Sequence, residues 1–245
     1  MCYSAMIAAS ARKAAAETGM PFEEALRLLI EEEKYGRWTT AFGRPKIPII
    51  LNDQTVKLAR WTFLGSRIQD PISASKQTKW TAVARGEEMF SKELFRDAAA
   101  HRRVLIPVQA YYEHQHRGSV SIPFKFYRPN GERYFLCGIY QDGFDGPSVA
   151  VCTMKPNRLA SYIHNNPEAH DGPRQPIVPR NEGEQRAWLA GGGPETIEQL
   201  LQVRDDGFLV VTQTEGSTGK WNSNPPPPPP GMPEGVVVTG QLELL

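Results

Sequence analysis

The chain has 245 residues, of which 40% are hydrophobic and 22% are charged, and this length is enough for one sizeable core. Its 28 basic and 27 acidic side chains give a formal charge of +1, which excludes a protein drawn to nucleic acid or membrane by its overall field. Any contact with DNA therefore needs a local basic groove.

Cysteine usage and apolar runs exclude further classes of protein. The three cysteines, at positions 2, 137 and 152, cannot all pair within the chain and do not have metal-ligand spacing. The first twenty residues lack the pattern of a signal peptide, and no eighteen apolar residues follow one another. We therefore expect a cytoplasmic monomer that keeps its own N-terminus, with no membrane contact and no metal or other cofactor.

Hydrophobic spacing predicts the elements in chain order. From about Ala8 to Tyr35 the spacing is that of a helix, broken near residues 19–21. Runs rich in β-branched and aromatic residues then predict strands at 46–51, 55–63, 103–112, 124–128, 133–140, 148–154, 208–212 and 235–240. Helical spacing returns at 87–99, 156–164, 184–190 and 194–202.

The order of these elements predicts the fold class. Strands cluster instead of alternating regularly with helices, which favours an α+β domain on a mixed or antiparallel sheet with peripheral helices. We find no internal repeat and no polar linker, so a single domain over residues 1–245 is expected. The turn residues 128–131 predict a β-hairpin, and the six prolines at 225–230 predict a stiff polyproline II connector.

Cys2 is the first residue whose chemistry is informative. Removal of Met1 would leave an α-amine and a thiol on adjacent carbons, and the amine, with an ordinary pKa near ~8, is partly neutral at physiological pH. Such an aminothiol can attack an aldehyde to give a Schiff base, after which the thiol closes a thiazolidine ring. It can also act as an N-terminal nucleophile on an amide, and an ordinary buried second residue is the third alternative.

Five short motifs accompany Cys2 in a fixed order. They are Met1-Cys2-Tyr3-Ser4-Ala5, Ala84-Arg85-Gly86-Glu87, Ala110-Tyr111-Tyr112-Glu113, Tyr162-Ile163-His164-Asn165 and Arg174-Gln175-Pro176-Ile177-Val178. In order and spacing the chain resembles the SOS-response-associated peptidase (SRAP) family, whose members cross-link to abasic sites in single-stranded DNA. The resemblance implies a curved sheet, and abasic single-stranded DNA as the partner.

The resemblance implies catalytic roles for three residues. Cys2 would attack the ring-opened sugar, Glu113 would carry protons during imine formation and ring closure, and His164 would act on the sugar. His170, which precedes Arg174 at a shorter spacing, competes with His164; we prefer His164. The alternative for Glu113 is a solvent-facing acid at the end of a strand.

The resemblance also implies contacts with DNA. Arg85 matches the family arginine that grips the phosphate beside the lesion, and Glu87 would either orient it or begin a helix. Val83 stands where the family usually has asparagine, so either Thr81 replaces that polar contact or the reaction is slower or has another substrate. Trp61 is expected in the core.

Other cations are candidates for a phosphate-tracking groove, provided that the fold brings them together. They are Lys76, Lys79, residues 101–103, Lys125 and Arg128.

Two rival functions remain open at this point. An N-terminal-nucleophile cysteine hydrolase, either an autoprocessing peptidase or an amidotransferase, would use the same Cys2 on an amide, although Cys2 directly follows Met1 with no propeptide to cleave. A non-covalent DNA-binding module would recognise DNA by shape, and its activity would not depend on Cys2.

Overall fold

A computed structural model describes part of the chain. The described residues are 4–7, 39–65, 68, 70, 81–117, 120–143, 146–166, 172–205 and 207–214. The helix predicted at 8–35, the polyproline run and the strand predicted at 235–240 lie outside them, as do Cys2, Lys76, Lys79 and His170.

Eleven strands form one sheet in this part of the chain. They are β1 (Ser4–Ile7), β2 (Thr39–Thr40), β3 (Lys46–Ile50), β4 (Val56–Trp61), β5 (Val83–Arg85), β6 (Arg103–Arg117), β7 (Val120–Tyr127), β8 (Tyr134–Gly143), β9 (Gly146–Met154), β10 (Gln175–Pro176) and β11 (Val210–Gln213). The helices are α1 (Arg96–His101), α2 (Arg158–Ile163) and α3 (Glu182–Leu189), with 3-10 turns η1 (Ala41–Gly43) and η2 (Pro194–Ile197).

Five of the strands close into a ring. β3 pairs with β4, β4 runs parallel to β9, β9 pairs with β8, and β8 pairs with β6. The ring closes where Ile50 of β3 pairs with Leu105 of β6. A closed ring leaves these strands without an unpaired edge, which makes it a rigid frame for side chains on its surface. The mixed sheet with few helices confirms the predicted α+β class.

β6 is the strand on which the rest of the sheet is organised. It is fifteen residues long, whereas its hydrophobic pattern predicts only 103–112. On one side it pairs with β8 through Arg103–Val108 and then with β7 through Ala110–Arg117. The hairpin predicted between these two partners is therefore wrong. The turn itself forms, with Gly131 at φ 71°, but β7 and β8 lie end to end along β6 and do not pair with each other in the described ladder.

A bulge divides β6 into two halves. β1 pairs Ile7 with Val108 and Met6 with Ala110, so Gln109 is passed over in the register. β8 ends its pairing at Val108 and β7 begins at Ala110. An extra residue reverses which side chains face inward beyond it. Before Gln109 the even-numbered Val104, Ile106 and Val108 pack in one core cluster, and after it the odd-numbered Tyr111 packs in the same cluster.

The core contains the tryptophan that the sequence assigns to it. Trp61 is fully buried and its indole N–H donates to the carbonyl of Ala82, with a distance of 3.2 Å between the two atoms. Val83, which stands at the usual asparagine position, is buried in the same cluster. Trp61 is thus a core residue, as expected, and Val83 contributes to packing.

A buried arginine joins the helices to the closed ring of strands. The Arg103 side chain donates to the carbonyl oxygens of Ala99 and Gly192, at 2.6 Å each, and to Thr196 Oγ1 at 3.0 Å. Its guanidinium carbon lies 5.5 Å from the ring centre of Phe90 and 5.1 Å from that of Trp188. Arg103 is only 2% exposed, so it is neither a groove cation nor the solvated surface charge that is the more common role of such a residue.

We predict that Arg103→Leu lowers the free energy of unfolding by about 2–4 kcal/mol, because it leaves buried carbonyl groups without a donor. Urea unfolding followed by circular dichroism measures this loss. The matched control is Arg186→Leu, since Arg186 makes an exposed helix ion pair with Glu182 and its loss should cost less than about 0.5 kcal/mol. Equal losses of stability in the two variants would show that the buried hydrogen bonds of Arg103 do not hold the helices to the sheet.

Candidate active site

Glu113 lies on the core face of β6. Because the bulge at Gln109 reverses the alternation, its side chain shares a face with Tyr111 and Gln115, and it is only 4% exposed. Burial penalises the carboxylate and raises the pKa of Glu113 to about 7. A solvent-facing acid at a strand end is therefore not what the sequence encodes here.

His164 faces Glu113 from the end of α2. It directly follows the last residue of this six-residue helix, and it is 5% exposed. Its Nδ1 lies 3.8 Å from Glu113 Oε2, which is too long for a hydrogen bond but places the two groups side by side. Burial lowers the pKa of His164 to about 4, so its imidazole is neutral near pH 7.

The main chain of Arg174 holds the His164 ring at its Nδ1 atom. His164 Nδ1 is 3.1 Å from both the amide nitrogen and the carbonyl oxygen of Arg174. Nδ1 accepts from the amide N–H in one tautomer of the neutral ring and donates to the carbonyl oxygen in the other. In either tautomer the main chain of Arg174 keeps the imidazole in position.

The side chain of Arg174 ties this loop to the sheet. Its Nε donates to Thr153 Oγ1 at 3.1 Å, and its Nη2 donates to the Thr153 carbonyl at 3.0 Å and to Glu87 Oε2 at 2.5 Å. Arg174 is 7% exposed. Arg174 thus contacts His164 through its main chain and anchors the loop to the sheet through its side chain.

Arg85 lies one strand away from this network. It pairs with Thr153 across β5 and β9, and its Nη1 donates to Glu88 Oε1 at 2.8 Å. The expected role of Glu87 as the partner of Arg85 is taken by Glu88, while Glu87 pairs with Arg174. The Arg85 side chain is 29% exposed, so part of it is open to a ligand.

The other described residues that were candidates for contact with DNA each have partners of their own. The hydroxyl oxygens of Thr81 and Thr62 are 3.2 Å apart. Arg102 pairs with Asp97, the Lys125 ammonium lies 5.3 Å from the ring centre of Tyr127, and the Arg128 guanidinium lies 4.3 Å from that of Phe208. The structure thus brings Glu113 and His164 together, with Arg85 joined to them through Thr153 and Arg174.

Four residues build this pair's surroundings: Gln115, Thr153, Asn165 and the Arg174 side chain. Sequence reasoning did not identify Gln115 or Thr153, and it assigned no role to Asn165 or Arg174 although both lie in the quoted motifs. Gln115 follows Glu113 by two positions on the same strand face and is 1% exposed, so a period of two offered a signal for it. The other three act through hydrogen bonds to the main chain or to each other, and these leave no periodic signature.

Two further searches cover only the parts of the chain that the structure describes. Within those ranges, no three His, Cys, Asp or Glu side chains are grouped so as to hold a metal ion. No helix of the same ranges has the length and apolar character needed to cross a bilayer.

Comparison with known proteins places the chain in a family. Residues 1–216 match the sequence profile of the family described as SOS response associated peptidase (SRAP). The chain belongs to the SRAP family. The matched region contains Cys2, Glu113 and His164 together with every other motif that carries the resemblance, which confirms the family interpretation of the sequence.

Individual relatives and structures agree with the SRAP assignment. The abasic site processing protein YoqW of Bacillus subtilis (strain 168) is 25% identical over 210 residues, covering 82% of this chain and 88% of the relative. A protein of the same name from Bacillus phage SPbeta gives the same values.

Among solved structures, a protein from Bacteroides thetaiotaomicron has a TM-score of 0.73 at 24% identity, covering 86% of this chain and 91% of that one. One from Bordetella bronchiseptica has a TM-score of 0.68 at 18% identity, covering 87% and 100%. At these identities the two structures support the fold alone.

We predict that Glu113→Gln stabilises this SRAP-family protein above neutral pH. Unfolding returns the Glu113 pKa from about 7 to about 4.3. Between these values the folded chain binds a proton that the unfolded chain releases, so the free energy of unfolding falls as pH rises. Glutamine does not titrate and so removes this effect. The free energy of unfolding of the variant should exceed that of the wild type by roughly 1–3 kcal/mol at pH 8.

Urea unfolding of both proteins at pH 4.5 and pH 8 tests this prediction. The stability difference between Glu113→Gln and wild type should grow with pH across this range. A stability difference that stays constant with pH would mean that Glu113 titrates near its ordinary pKa, and it would contradict the raised pKa of the buried carboxyl.

Proposed function

We propose that this protein processes abasic sites in single-stranded DNA by forming a covalent thiazolidine cross-link through Cys2 after Met1 is removed. The observation that carries the proposal is the buried Glu113–His164 pair beside the strand that follows Cys2. The pair supplies a proton carrier active near neutral pH and a neutral hydrogen-bond donor, which are the groups that such a reaction needs.

The register of the sheet limits how far Cys2 is from this pair. Ser4 pairs with Tyr112, the residue that precedes Glu113. Cys2 precedes Ser4 by two positions in the sequence, and two residues span at most about 7 Å. The chain connection is therefore short enough for the aminothiol to reach Glu113.

The proposed reaction balances without an oxidant or a cofactor. The Cys2 amine adds to the C1′ aldehyde of the ring-opened abasic sugar, and one amine proton passes to the new alkoxide oxygen to give a carbinolamine. Glu113 gives a proton to the hydroxyl, which leaves as water, and a protonated imine that keeps its N–H remains. The thiol passes its proton to the Glu113 carboxylate as the sulfur adds to the imine carbon and closes the five-membered ring, so Glu113 ends in its starting form.

His164 and Arg85 have supporting roles in this scheme. An N–H of the His164 ring would donate to an oxygen of the opened sugar, which a neutral imidazole does without placing a charge in a buried site. Arg85, with part of its side chain exposed, would bind the phosphate beside the lesion through its planar fork of donors. The name of the Bacillus relatives as abasic site processing proteins supports the choice of substrate.

The test is incubation of the purified protein with single-stranded DNA that carries one abasic site, followed by a denaturing gel and intact mass analysis. We expect a mature chain that begins at Cys2 and an adduct whose mass equals protein plus DNA minus one water. Cys2→Ala should abolish the stable adduct because no sulfur can close the ring. The matched control is Cys152→Ala, whose thiol is fully buried, and it should cross-link like the wild type.

Other outcomes point to other functions. Turnover of a peptide or of glutamine, with no DNA adduct, would favour an N-terminal-nucleophile hydrolase. Tight binding of DNA that is unaffected by Cys2→Ala and gives no covalent band would favour a non-covalent module. Either result would overturn the proposed cross-link.

We further predict that Glu113→Gln and His164→Ala each slow adduct formation by about 10²–10³-fold, since a general acid–base group contributes roughly that much. Quenched time courses at saturating DNA measure the rate. Both variants should retain wild-type affinity for intact single-stranded DNA in fluorescence anisotropy. Unchanged rates in both variants would remove the pair from the mechanism.

A further inference from the structure

Three hydrogen bonds fasten the end of α2 to β6. Gln115 Nε2 donates to the carbonyl oxygen of Tyr162 at 3.0 Å. The amide N–H of His116 donates to Asn165 Oδ1 at 2.6 Å, and Asn165 Nδ2 donates back to the His116 carbonyl at 3.0 Å. Asn165 thus pairs with the main chain of β6 as a neighbouring strand would.

These bonds lie immediately beside the catalytic pair. Gln115 and His116 follow Glu113 by two and three positions on β6, and Tyr162 and Asn165 stand on either side of His164. One fastener therefore lies before His164 in the chain and the other directly after it. α2 has only six residues, and a helix this short depends on contacts outside itself to hold its last turn.

We propose that Gln115 and Asn165 are positioning residues that set the separation of Glu113 and His164 and keep water out of the space between them. The inference deepens the proposed function and rests on it for its catalytic consequence. Neither residue touches the DNA in this scheme; each acts through the pair that it holds.

The burial of the two residues separates their contributions. Gln115 is 1% exposed, so its amide is buried where it bonds to the main chain of α2. Asn165 is exposed, and its two bonds close the outer side of the same contact. Loss of either should let water reach the pair, because the low dielectric around Glu113 depends on this seal.

The charged surroundings of Glu113 define what solvation would change. His164 faces it from α2, His114 and His116 lie on its own strand and act on His164, and the Arg174 guanidinium beyond His164 is already paired with Glu87. Burial is the largest influence on the pKa of Glu113, and the charge of the N-terminal amino group opposes it by lowering that pKa. Admission of water should move the pKa of Glu113 down and that of His164 up, each towards its ordinary value.

The experiment compares Asn165→Ala with Asn181→Ala. Asn181 caps α3 by accepting from the Glu184 amide at 2.9 Å, so its loss removes a similar side-chain bond to the main chain at another helix. Gln115→Met, which keeps the volume and removes the donor, is the second test variant. Asn165→Asp keeps the acceptor for His116 and should recover part of the effect.

Two readouts are measured in each variant: the maximal rate of adduct formation at saturating abasic DNA, and the pKa values of Glu113 and His164 by NMR titration. We expect Asn165→Ala and Gln115→Met to slow the maximal rate by about tenfold with an unchanged half-saturating DNA concentration. Both should also move the two pKa values towards ordinary ones. Asn181→Ala should leave the rate and both pKa values at wild-type levels.

The outcomes separate this inference from the proposed function. If Asn165→Ala and Gln115→Met fold but leave both pKa values unchanged, the positioning role is overturned, whatever the wild type does with DNA. If the pKa values move while the wild type forms no adduct, the fasteners are supported and the cross-linking function fails. A rate loss in Asn181→Ala equal to that in Asn165→Ala would also overturn the inference, because it would reflect general loss of stability.

Discussion

The contact between the buried Glu113 carboxyl and the neutral His164 imidazole is the interaction on which the account of this molecule depends. The two groups lie 3.8 Å apart in a region that excludes water, and burial moves their pKa values in opposite directions. A carboxyl that titrates near neutrality can both give and take a proton in one reaction cycle. A solvated glutamate would remain ionised and could only accept.

The fold makes this contact possible through one irregularity in β6. Without the extra residue Gln109, strict alternation would turn Glu113 away from the core face that holds Val104 and Ile106. The bulge reverses the alternation and buries Glu113, and bulges are common beside active sites for this reason. The closed ring of strands and the buried hydrogen bonds of Arg103 hold the sheet rigid. The free-energy cost of burying a carboxyl is therefore offset elsewhere in the structure.

Much of this arrangement could be predicted from the sequence, and the remainder has physical reasons for escaping prediction. Strand runs of β-branched residues located seven of the strands, and ordered motifs selected Glu113 and His164 although they lie 51 positions apart in the chain. The hairpin at 128–131 was wrong because turn chemistry fixes a turn but not the partners of its strands. The interior position of Arg103 and the pairing of Arg85 with Glu88 depend on tertiary contacts that a charge pattern does not encode.

The most direct test of the central claim is the pH dependence of the rate of adduct formation in wild type and in Glu113→Gln at saturating abasic DNA. The account predicts a wild-type profile with an apparent pKa near 7 that is absent from the Glu113→Gln profile. Profiles of the same shape in both proteins would show that the buried carboxyl does not carry the proton, and would contradict the account.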